Sequence, residues 1–166
     1  MARALIVGCG CRGRELGRAL AERGWLVRGT SRTEAGAAEV AAAGIEPAIA
    51  DPDRIATLLE AIDGVAVVFW LLGSARGSEE AVAALHGPRL ERLLAEIVDT
   101  PVRGLVYEVT GELGSAPLLA ALDALRGAGE RWRIPFEVVD ADPARIESWR
   151  EGMLAAAGQL IGQGAE

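Results

Sequence analysis

The chain has 166 residues, of which 51% are hydrophobic, a length and composition suited to one domain with a substantial core. Its formal net charge of -7 argues against nucleic acid as the main partner, because phosphate backbones are held by basic patches. No run of about twenty apolar residues is present to span a bilayer, and the N-terminus shows no secretory pattern, so a cytoplasmic protein without a membrane partner is expected.

Residues 3–7 read as a short buried strand that runs into Gly8, Cys9, Gly10, Cys11, Arg12 and Gly13, with glycines at G-x-G-x-x-G spacing. Gly8 allows a sharp turn out of the strand, Gly10 lets a diphosphate approach the backbone, and Gly13 lets the next helix pack tightly. The free N–H groups and positive dipole end of that helix, expected over 13–23, would face the phosphates. With 21 glycines in the chain the spacing alone is a weak signal, and a tight turn without a ligand is the alternative. The order of strand, motif, helix and a further apolar run, Trp25-Leu26-Val27, is what favours a dinucleotide.

Both cysteines, Cys9 and Cys11, lie in this loop, where a disulfide would distort the turn. With one histidine they supply too few ligands for a structural zinc site, so no metal is expected. Two small side chains in a crowded loop is the favoured reading, against a helix-terminal thiol of lowered pKa. Among the arginines of the first third, Arg12, Arg14 and Arg32 lie where a phosphate could be reached.

A second strand is expected over 25–29, with Thr30, Ser31 and Arg32 at its carboxyl end and Ser31 or Thr33 as cap of a helix over 34–43. A short strand at 45–49 leads to Asp51-Pro52 and a helix at 53–61. Residues 65–72 are continuously apolar, the pattern of a central parallel strand covered on both faces. After the flexible loop 73–78 come helices at 79–85 and 88–98, the second carrying the stripe Leu90, Leu93, Leu94 and Ile97. Strands at 104–109 and 135–139 alternate with helices at 115–127 and 144–161. The alternation predicts a single domain over residues 1–166, a three-layer α/β fold with a doubly wound, Rossmann-like parallel sheet of about six strands in the order 3-2-1-4-5-6.

In such a sheet the end of the second strand meets the adenosine ribose. An acidic residue there suits NAD, whereas Arg32 beside the hydroxyls of Thr30 and Ser31 suits the extra phosphate of NADP, which is favoured. Asp51, ending the third strand, reads equally as an adenine-side contact or as an ordinary helix-start signal.

The run from Leu5 to Leu16, with Arg28-Gly29-Thr30-Ser31-Arg32, resembles the atypical and extended short-chain dehydrogenase/reductases, particularly the nucleoside-diphosphate-sugar epimerase-like proteins, as far as about residue 111. The resemblance implies a Rossmann fold, an NAD(P) cofactor and, in active members, a Tyr-x-x-x-Lys pair with a Ser or Thr ending the fifth strand. Here all seventeen basic residues are arginine, and Tyr107 is followed four positions later by Gly111, so the dyad is absent. Thr110 matches the hydroxyl position, and Leu113 stands near where relatives place the tyrosine. Relatives also continue into a substrate-binding region after the sixth strand.

The carboxyl ends of strands four to six should line the rest of the crevice with Trp70, Ser74, Arg76, Glu108, Thr110, Asp140 and Asp142. Glu108 interrupts an apolar strand, and as a half-buried carboxylate it would suit proton transfer; a structural hydrogen-bonding role is the competing reading. Glu108 and Thr110 are therefore the weak catalytic candidates. Trp70 reads as core, Asp142 as a helix-start residue and His86 as structural or surface. The leading expectation is an NADP(H)-binding protein related to epimerase-like reductases, with oxidoreductase activity on an unknown small-molecule substrate left open. The alternative is a non-catalytic redox sensor or regulatory subunit, and a homodimer packed across the leucine stripe is a third reading.

Overall fold

A computed structural model describes residues 1–110 and 112–162. Six parallel strands form one sheet in the order β3-β2-β1-β4-β5-β6, as the alternating pattern predicts. In chain order the elements are β1 (Arg3–Val7), α1 (Cys11–Glu22), β2 (Leu26–Ser31), α2 (Glu34–Ala42), β3 (Glu46–Ile49), α3 (Ile55–Ala61) and β4 (Val67–Trp70). They continue with α4 (Glu79–His86), α5 (Pro88–Ile97), β5 (Gly104–Val109), α6 (Ser115–Trp132), β6 (Phe136–Asp140) and α7 (Ile146–Gly162).

Side chains of a strand alternate between faces, and here both faces are covered, so the central strands are apolar throughout. On one face Leu5, Val7, Val68, Trp70, Leu105 and Tyr107 pack against α3, α5 and α6. On the other, Ala4, Ile6, Val67, Phe69 and Val106 pack against α1, α2 and α7. The register Val7↔Trp70 and Trp70↔Tyr107 brings the carboxyl ends of β1, β4 and β5 level, which builds one rim above the sheet.

Three differences from expectation bear on the site. Helix α1 begins at Cys11 rather than 13, straight after Gly10, so Cys11 and Arg12 stand in its first turn. Strand β2 runs on to Ser31, because Thr30 and Ser31 pair with Ala48 and Ile49 of β3. Strand β4 is shorter than the apolar run that predicts it, because that run also covers the turn before the strand and the rim after it. The stripe Leu90, Leu93, Leu94 and Ile97 is buried inside the domain, which agrees with core as its favoured role and leaves no dimer surface there. Among the described residues no helix is long and apolar enough to cross a membrane.

Candidate functional site

The glycine turn is built as the spacing requires, with a separate cause at each glycine. Gly8 has φ +82°, and a Cβ there would meet the Leu71 carbonyl oxygen at 2.7 Å, so only glycine fits between β1 and the end of β4. Gly13 is buried, and a Cβ would crowd Ile6 and Cys9, which lets α1 sit close on β1. Around Gly10 a Cβ would meet nothing within 4 Å, so its backbone faces open space.

Thr30 braces the turn from β2. Its hydroxyl accepts from the Gly8 N–H at 3.2 Å, its carbonyl accepts from Cys9 N–H at 3.1 Å, and the hydroxyl keeps its own hydrogen to donate. Gly10 is the N-cap of α1 and offers no capping side chain. The first-turn N–H groups of a helix have no intrahelical partner, so they give an uncapped positive end beside the open space at Gly10.

A cavity of about 330 Å³ opens there. Gly8, Cys9, Gly10, Thr30, Ser31, Arg32 and Asp51 line it, so seven of the ten expected cofactor contacts share one cleft. Cys11, Arg12 and Gly13 do not line it. Cys11 is exposed beside the cleft, where Arg14 donates to its Sγ at 3.4 Å, and Gly13 is used in packing.

Next to the glycine turn, Leu71, Leu72, Ser74, Ala75 and Arg76 of the β4 loop continue the lining, together with Ala81 and Leu85 of α4. Of its three lining arginines, Arg14 pairs with Glu39 at 3.5 Å. Arg32 and Arg76 are exposed and form no ion pair among the described residues. Asp51 lines the cleft, and its Oδ1 accepts from Asp53 N–H at 2.9 Å to start the turn before α3. Thr33, not Ser31, caps α2 by accepting from Gly36 N–H at 3.0 Å.

The other expected residues lie elsewhere. Arg12 turns from the cleft and donates through Nη2 to Glu108 Oε1 at 2.8 Å, so its guanidinium is no phosphate ligand in this arrangement. Glu108 is fully buried rather than half-buried, and its Oε2 accepts from the Trp149 indole N–H of α7 at 2.7 Å. Each carboxylate oxygen thus accepts one hydrogen bond from the protein, the arrangement that the structural reading of Glu108 expects. Thr110 is also buried and donates to the Gly73 carbonyl at 3.0 Å, locking β5 to the β4 loop. Trp70 is core, and Asp142 caps a turn by accepting from Ala144 N–H at 2.9 Å.

His86 is wholly buried, between the Leu72 carbonyl at 3.1 Å from Nε2 and the Tyr107 hydroxyl at 2.6 Å from Nδ1. A carbonyl can only accept, so Nε2 carries the hydrogen and Nδ1 accepts from the tyrosine O–H. Burial holds the imidazole below its ordinary pKa of 6.5, against the raising effect of the Leu72 hydrogen bond, and pushes the tyrosine pKa up. The pair therefore sits neutral beneath the cleft wall at Leu72. Burial likewise pushes the Cys9 thiol up to about 11, against the lowering influence of Arg14, so Cys9 packs as a thiol. Glu39, Gly36, Pro52 and Leu85 were not expected at the site. They come from turns and helix faces that only the tertiary fold brings to the rim.

No family model matches the chain, and no curated protein sequence matches it. Solved structures do. A short-chain dehydrogenase/reductase superfamily protein from Agrobacterium tumefaciens with bound NAD matches with a TM-score of 0.65 at 21% identity, over 82% of this chain and 48% of that one. A UDP-glucose 4-epimerase from Thermotoga maritima with UDP-glucose matches at 0.67 and 16% identity, over 82% and 54%. A UDP-glucuronic acid 4-epimerase from Bacillus cereus in complex with NAD matches at 0.63 and 14%, over 84% and 56%. The chain spans about half the length of these three structures. At these identities the likeness is one of fold: the chain has the Rossmann fold of the short-chain dehydrogenase/reductase and epimerase structures.

Proposed function

We propose that the crevice binds a nicotinamide dinucleotide, NADP in preference to NAD. The observation that carries the reading is the convergence, on one cleft, of the open backbone at Gly10, the uncapped start of α1 and the guanidinium of Arg32, which has no ion pair among the described residues. The first two suit a diphosphate. Arg32, at the end of β2 with the Ser31 hydroxyl beside it, suits a phosphate on the adenosine ribose. The NAD bound to two of the similar structures supports a dinucleotide for this fold, and the preference for NADP rests on Arg32 alone.

Titration of the wild type and of Arg32→Ala with NADP and NAD tests this. A charge-assisted hydrogen bond contributes about 1.5–3 kcal/mol, so Arg32→Ala should weaken NADP roughly 10- to 100-fold and leave NAD nearly unchanged. Equal binding of NADP and NAD by the wild type contradicts the preference, and no binding of either contradicts the site.

A binding role is favoured over an oxidoreductase by one observation: Glu108 and Thr110, the two catalytic candidates, are buried in hydrogen bonds to the protein itself. The protein incubated with NADPH and a panel of aldehydes, ketones and nucleotide sugars should show no turnover. Turnover abolished by Glu108→Gln or Thr110→Ala would restore the catalytic reading.

A further inference from the structure

The crevice of a doubly wound sheet has two halves, one over β1 to β3 and one over β4 to β6, and a dinucleotide extends across both. Here the cleft draws its walls from β1, β2, β3 and the β4 loop with α4. The side chains that end β5 turn instead to protein partners. The Arg12 guanidinium joins the first turn of α1 to Glu108, on the strand separated from β1 by β4, and Trp149 of α7 closes on the other carboxylate oxygen. Thr110 is drawn onto Gly73, close enough that a Cβ on Gly73 would meet the threonine methyl at 2.7 Å.

We infer that the site recognises only the adenosine-phosphate end of its ligand, so that its chemical class is an adenosine 5′-diphosphate carrying a 2′-phosphate, whose nicotinamide end, oxidised or reduced, stays outside the protein. The inference rests on the nucleotide reading of the same crevice and narrows it.

The cavity of about 330 Å³ lies within the roughly 300–1,000 Å³ usual for ligand pockets, and its lining comes from the ends of β1, β2 and β3, the start of α1, α2, the β4 loop and α4, with none of the described residues of β5 or β6. The lining holds both kinds of group such a ligand needs: Pro52, Leu71, Ala81 and Leu85 are apolar, suited to a base, and Gly10, Ser31, Arg32 and Arg76 carry donors, suited to phosphates. Opening the β5 side would part Arg12 and Trp149 from a fully buried carboxylate and leave that charge without a partner. A ring held outside gives no differential contact between its redox forms, so the site does not sense the ratio of oxidised to reduced cofactor.

The test is calorimetric titration of the full chain with 2′-phosphoadenosine 5′-diphosphate, 5′-ADP, NADP, NADPH, NAD and nicotinamide mononucleotide. The 2′-phosphorylated diphosphate, NADP and NADPH should bind within roughly threefold of one another, nicotinamide mononucleotide should not bind, and bound NADPH should keep the emission of its free form. NADP or NADPH binding more than about tenfold tighter than the 2′-phosphorylated diphosphate overturns the inference, as does a blue-shifted, enhanced NADPH emission. If the 2′-phosphorylated diphosphate binds no better than 5′-ADP, the Arg32 reading fails, while equality of 5′-ADP with NAD still supports recognition of one end. If none of the six binds, the nucleotide reading fails and the inference with it.

Discussion

At the carboxyl ends of β1 and β2 the polar groups face open space, whereas at the end of β5 they face one another. Gly10, Arg32 and Arg76 stand around a cavity, and Arg12, Glu108, Trp149, Thr110 and Gly73 close into a network that links α1, β5, α7 and the β4 loop. The two regions share the rim that the level strand ends create, so architecture alone does not separate them. What separates them is a pairing: a buried carboxylate must find counter-charge and donors inside the protein, and it takes Arg12 from the first turn of α1 to do so.

The comparison can be broken from the closed side first, where the effect on stability is largest. Arg12→Leu leaves Glu108 buried with only the indole as partner and should cost about 3 kcal/mol in urea unfolding, the lower end of the range for a broken buried pair because Arg12 is partly exposed. NADP affinity of the folded variant should stay within roughly threefold of wild type, since the Arg12 backbone N–H is kept. A tenfold loss would place the guanidinium at the ligand.

From the open side, Gly8→Ala forces a Cβ into a left-handed backbone and against the Leu71 carbonyl, at a cost of about 1–3 kcal/mol, and should abolish nucleotide binding by displacing the turn. Unchanged binding would show that the turn plays no part.

The pair beneath the cleft wall gives a smaller effect. Tyr107→Phe removes the donor to His86 Nδ1 and should cost about 1–2 kcal/mol. Because burial lowers the folded pKa of His86 below 6.5, the unfolded chain takes up the proton first as pH falls. The histidine's contribution is therefore full above about 6.5 and is lost as pH drops towards the folded value, so stability should fall more steeply below 6.5 in wild type than in His86→Gln. A parallel pH dependence would contradict the buried, neutral imidazole.

The smallest perturbation is chemical. Exposed Cys11 should take one equivalent of a maleimide at pH 7 while Cys9, buried with its pKa near 11, stays unmodified in the native protein. Two equivalents at equal rates would contradict the packing of the glycine turn.

Much of this fold is legible in the sequence because its signals are local. The apolar run at β4, the glycines at 8, 10 and 13 and the alternation of elements each act within about ten residues, and together they fix strand order through the handedness of crossovers. The open half of the site is legible for the same reason, since strand ends and the residues just after them form the rim. The closed half is not. Glu108 can be noticed as a charge in an apolar strand, but its partners are Arg12, 96 positions away, and Trp149, 41 away. No local pattern marks Arg12 as turning aside to Glu108 while Arg32 lines the cleft. The His86 and Tyr107 pair is equally hidden, its members being the chain's only histidine and only tyrosine, on different elements that meet in the core.

The contrast between the two halves is tested most directly by following amide and indole resonances during titration with NADP. The amides of Gly8, Gly10, Ser31, Arg32 and Arg76 should shift to saturation while the Trp149 indole N–H, held on Glu108, stays in place. A Trp149 indole shift as large as that of Gly10 would contradict the account.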